Sequence, residues 1–110
     1  PQKRKKNAAH LSRIRQLPCI SCGGYPPNEA AHIRLIGTGM GRRPDDDMAL
    51  PLCADCHRTG KHAEHNSGGS TAFYKRLGID PSLVAGQLYK AKDISTMVAI
   101  IMKAKNGSIL

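Results

Sequence analysis

Large aromatic side chains are almost missing: the 110 residues include no Trp, one Phe and three Tyr. A domain of this size buries a low fraction of its surface. With only 40% hydrophobic residues, apolar burial needs a second source of stability, and the four cysteines are the candidate. No window approaches the ~20 apolar residues of a membrane span, so no membrane is expected among the partners. Acidic residues are scarce as well, 8 against 17 Lys and Arg, for a formal charge of +9. That surplus makes nucleic acid the leading partner. The N-terminus is basic but has no apolar core behind its charges, unlike a secretory signal. The expected setting is therefore cytoplasmic and reducing, where cysteines serve as metal ligands rather than disulfides.

One domain with a tail fits this length. Residues 1–7, with Lys3, Arg4, Lys5 and Lys6, read as a basic flexible arm. Asn7 can cap a short helix running to Leu17 with Leu11 and Ile14 on one face, stopped by Pro18. His10 then falls on the surface. Strands are expected at 30–36 and 48–52, and a helix from Cys53 to Gly60. Ser70 or Thr71 can cap a short helix that Gly78 closes. Asp80-Pro81 is an N-cap followed by proline at the first helical position, and Asp93 or Ser95 begins a last helix with Ile94, Met97, Val98 and Ile101 on one stripe. Residues 8–78 form the zinc-bound unit, and 79–110 a helical extension packed on the same domain; its stripe also offers a homodimer surface.

The cysteines are spaced as Cys19-Ile-Ser-Cys22 and Cys53-Ala-Asp-Cys56. A two-residue gap lets both sulfurs of a pair turn toward one point, and two such pairs complete a tetrahedral thiolate site for structural zinc. An iron site of rubredoxin type has the same ligand set. Cys53 to His57 also satisfies the attachment pattern of a c-type haem, a reading that would strand Cys19 and Cys22. Four thiolates close zinc's coordination, so any hydrolysis must lie elsewhere. The zinc brings His32, on the first strand, toward His57, which directly follows the last ligand; His62 and His65 come just after Gly60 and can reach back.

The runs LPCISC (17–22), AAHIR (30–34), GTGMG (37–41), RRPDDD (42–47), LPLCADCH (50–57) and AFYKRLGID (72–80) together resemble zinc-containing HNH proteins of phages and prophages. These belong to the ββα-metal nuclease superfamily, which includes phage recombination-associated nucleases. The resemblance covers residues 17–81 and implies an α+β fold: a treble-clef-like ββα-metal core with added N- and C-terminal helices. It makes His32 the general base and His57 a ligand of a catalytic divalent metal, with His65 preferred to His62 as a further ligand. Two positions depart from the pattern. Ala31 stands where many members place Asp or His, and the middle Asn is absent; Asp46, by spacing, is the carboxylate that substitutes as a ligand.

On this reading the chain is a metal-dependent endonuclease hydrolysing DNA phosphodiester bonds with low sequence specificity. Its ion is Mg²⁺, Mn²⁺ or a transition ion, and its surroundings are the cytoplasm of a bacterial host. A neutral His32 accepts a proton from water. Arg34, Arg42 and Arg43 clamp phosphates, and Gly37, Gly39 and Gly41 let the backbone approach the strand. A recombination or replication protein is a further expected partner. The alternatives are a non-catalytic zinc module that binds nucleic acid through its basic surface, and a zinc protein whose C-terminal helices mediate protein contacts.

Overall fold

The computed structural model describes residues 5–34 and 44–106. Their order is α1 (Ala8–Ile14), β1 (Glu29–His32), β2 (Ala49–Leu52), a π-helical turn (Asp55–Thr59), a 3-10 turn (Glu64–Asn66), α2 (Ser70–Leu77), α3 (Pro81–Lys90) and α4 (Ile94–Lys105). This is an α+β arrangement around one two-stranded antiparallel sheet. Its register sets Glu29 opposite Leu52 and His32 opposite Ala49. Ala31, Leu50 and Leu52 face a core completed by Ile14 and Leu17 from the N-terminal segment, Phe73 and Tyr74 from α2, Val84 and Leu88 from α3, and Met97 and Ile101 from α4. The C-terminal helices thus belong to the same core as the sheet. No helix among the described residues is long and apolar enough to cross a membrane.

Side chains that can satisfy free backbone amides start three of the helices. Asn7 accepts from the His10 amide, Asp80 from Leu83 and Asp93 from Thr96; this is N-cap chemistry. Gly78, at φ +74°, closes α2 in the left-handed region that glycine enters without penalty. The expected capping of α2 does not occur. Ser70 is the first helical residue, Gly69 holds the cap position, and the Ser70 hydroxyl donates to Glu64 Oε2 at 2.7 Å instead.

Other expectations shift for identifiable reasons. α1 ends at Ile14, not Leu17, because the amides of Gln16 and Leu17 tighten onto the carbonyls of Arg13 and Ile14. His10 is buried, 1% exposed, with its ring edge-on to Tyr89 at 4.7 Å. Lys5 and Asn7 are not a free arm: Lys5 N donates to Asp45 Oδ1, Asn7 N to Asp46 Oδ2, and Asp46 N to the Lys5 carbonyl, each at 2.8 Å. The segment after Cys53 is helical, yet its closing bond runs from Gly60 N to Asp55 O at 2.8 Å, one residue wider than an α-helix. Gly60 is required there, since a Cβ would stand 2.6 Å from the Asp55 carbonyl oxygen.

Candidate metal centres

The two cysteine pairs form matching knuckles. In each, the amide of the second cysteine points at the sulfur of the first, Cys22 N to Cys19 Sγ at 3.5 Å and Cys56 N to Cys53 Sγ at 3.4 Å. Asn28 fastens the first knuckle to the end of α1, its amide group donating to the carbonyls of Leu17 and Gly24. The Ile20 amide donates to the Pro51 carbonyl on β2, just ahead of the second knuckle. All four sulfurs lie within 4.8 Å of one another, and Cys22 Sγ and Cys53 Sγ are 3.7 Å apart. Four sulfurs at ~2.3 Å from one zinc would stand about 3.8 Å apart. Burial pushes the Cys22 and Cys56 thiols up, and the spacing of the four sulfurs is that of ligands around a single ion. The cluster therefore fits a metal such as zinc.

A second group of donors lies one residue further along. His57, Glu64 and His65 each offer a ligand atom within 4.8 Å of the others. His57 Nε2 is 3.7 Å from Glu64 Oε1, and the two imidazoles meet edge to face at 4.6 Å. Donors at 2.0–2.2 Å from a single ion are separated by about 3.4 Å, so two imidazoles and a carboxylate can close on one cation with small movements.

Each of two donors is held by a neighbour. His57 Nδ1 pairs with Glu29 Oε1 at 2.7 Å. Because a carboxylate can only accept, this puts the ring proton on Nδ1 and leaves Nε2 facing Glu64. Arg58 grips Glu29 through Nε at 3.0 Å and Nη2 at 2.6 Å. The guanidinium first, and the imidazole second, hold the Glu29 carboxyl down to about 2. Glu64 is 4% exposed, and Ser70 Oγ donates to its Oε2 while itself accepting from the Arg34 amide at 2.9 Å. A cleft of about 390 Å³ opens beside the group, lined by Arg34, Glu64, His65, Gly69 and Ser70.

The histidine group differs from the expected ligand set in its carboxylate. Asp46 does not join His57 and His65; its Oδ1 lies 2.8 Å from His32 Nε2, because the Lys5–Asn7 segment fastens the 45–47 loop beside the end of β1. Glu64 takes its place. The member from the later pair is His65, while the carbonyl of His62 accepts from Arg76. Ala31 is fully buried in the core, on the strand face opposite His32. Arg34 lines the cleft, while Arg42, Arg43 and the glycine run 37–41 lie outside the described residues.

Glu64 and Glu29 lie outside the residues that the sequence pattern points to. Glu64 had a signal, as the residue preceding His65. Glu29 had none, because only the register opposite Leu52, next to Cys53, delivers it to His57. Comparison with family models, with curated proteins and with solved structures finds no match for this chain.

Proposed function

We propose that the chain is a metal-dependent endonuclease of the HNH kind, with a treble-clef-like ββα-metal core, hydrolysing DNA phosphodiester bonds. The observation that carries this reading is the convergence of His57, Glu64 and His65 beside a separate, closed set of four thiols. A structural zinc belongs to the thiols and a second divalent ion to the imidazoles and carboxylate. When bound, that second ion would neutralise charge on the scissile phosphate and stabilise the leaving oxygen. Two nitrogens and one oxygen suit Mn²⁺ or a later transition ion better than Mg²⁺, which prefers oxygen ligands.

The chain's own residues supply the rest. His32 takes a proton from water as the water oxygen forms its bond to phosphorus. The bond from phosphorus to the leaving oxygen breaks, and solvent returns a proton to that oxygen. Arg34, on the rim of the cleft, offers its guanidinium to a phosphate without reading a base. Low sequence specificity follows from contacts of this kind.

The test is nicking of plasmid DNA with Mg²⁺, Mn²⁺, Co²⁺ or Zn²⁺ added to protein whose thiol site is filled. Cleavage by the wild type that His32→Ala and His57→Ala both lose supports the reading; equal cleavage by all three overturns it. The alternative, a zinc module that binds nucleic acid without cutting it, is favoured by Ala31 being a core residue. Steeply salt-dependent binding with no cleavage under any of these ions would select it.

A further inference from the structure

A second histidine–carboxylate pair, His32 with Asp46, shares no residue with either donor group. His32 Nε2 is 2.8 Å from Asp46 Oδ1, and the two side chains are 28% and 6% exposed. The other oxygen, Oδ2, accepts from the Asn7 amide at 2.8 Å. Asn7 cannot easily move, for its side chain caps α1 through the His10 amide and donates from Nδ2 to Tyr89 Oη on α3 at 3.2 Å. Lys5 fixes the loop from both sides, donating its amide to Asp45 and setting Nζ 3.0 Å from Asp47 Oδ2.

We infer that Asp46 is a positioning residue for His32, held in place by the N-terminal strap Lys5–Asn7, and that it sets which ring nitrogen acts as base. This rests on the nuclease reading. A carboxylate only accepts, so the neutral imidazole must carry its proton on Nε2 and leave the Nδ1 lone pair bare. That lone pair is what receives the proton of the attacking water. The strap therefore has a different use from the flexible basic arm that its charges suggest. It supplies a backbone N–H that occupies one carboxylate oxygen and leaves the other for the histidine.

Asp46→Asn is the decisive variant because it keeps the shape and removes one acceptor. With its single oxygen accepting from the fixed Asn7 N–H, its NH₂ faces His32. The ring can then only accept at Nε2, and its proton moves to Nδ1. Nitrogen-15 NMR of the imidazoles, at a pH where they are neutral, should show His32 protonated on Nε2 in the wild type and on Nδ1 in Asp46→Asn. Turnover should fall about 10²- to 10⁴-fold, the worth of a general base, with KM for DNA and the metal content unchanged.

A wild-type His32 carrying its proton on Nδ1 overturns the inference whether or not the variant folds. So does wild-type turnover in Asp46→Asn when His32→Ala is inactive, and in that case the nuclease reading survives alone. If His32→Ala cleaves as the wild type does, the reading itself fails and takes the inference with it.

Discussion

The four-thiol cluster and the His57–Glu64–His65 group are adjacent in sequence yet built on different terms. The sulfurs come from two copies of one local device, a knuckle whose own amide faces its own sulfur, and four of them leave an ion no open position. The imidazoles and carboxylate come from a π turn and a 3-10 turn, and they depend on residues from elsewhere: Glu29 on β1 for His57 and Ser70 on α2 for Glu64. They also border a cleft. A site that must be stable can be specified locally. One that borders an open cleft is held from a distance.

The difference can be broken from either side. Cys56→Ser, or stripping with a strong chelator, should remove the zinc and with it the cooperative unfolding transition. Apparent binding energies of structural zinc run to about 10 kcal/mol or more, above the whole stability of a small domain, and melting followed by circular dichroism would show this. His57→Ala should leave that transition in place and lower the metal content from about two ions per chain to about one. Survival of two tight ions would mean the histidine group is not a metal site.

Glu29→Gln probes support rather than ligation. Affinity for the second ion should fall about 10- to 100-fold, as for other residues that orient a ligating histidine, while the thiol-bound ion stays. Titration calorimetry with Mn²⁺ on zinc-loaded protein reads the difference directly. Gly60→Ala should cost about 1–3 kcal/mol, the usual penalty of forcing atoms into filled space, because its Cβ meets the Asp55 carbonyl. That loss should appear in the melting temperature.

The smallest effect belongs to a histidine outside both groups. Burial lowers the pKa of His10 below its ordinary 6.5, and its Nε2 has no hydrogen-bond partner among the described residues. The unfolded chain therefore takes up the proton first. Stability from this source is complete above pH 6.5 and declines as the pH falls from there through the lowered value. His10→Phe, which keeps a ring against Tyr89, should flatten that part of the pH profile; an unchanged slope in zinc-loaded protein would show that His10 is not its source.

What the sequence made legible follows the same division. Helix starts at Asn7, Asp80 and Asp93, and the two knuckles, are set by residues within four positions of one another, and local chemistry announced them. The pairing of His57 with His65 could be reached because a short, Gly-bounded segment brings them back together. Glu29 and Asp46 could not be placed correctly, since each depends on a contact that only the folded chain provides: a strand register for one and the docking of Lys5–Asn7 for the other. His10 reads as a surface residue for a related reason: its polarity suggests the surface while its position on α1 faces Tyr89 across 79 residues of chain.

Cys56 and His57 are consecutive residues of one short turn, so the two donor groups share a stretch of backbone. The turn follows β2 directly, so the register that sets Glu29 opposite Leu52 lets His57 meet Glu29 while Cys56 joins the other sulfurs. A shift of either donor group is thus passed to the other through a single peptide link.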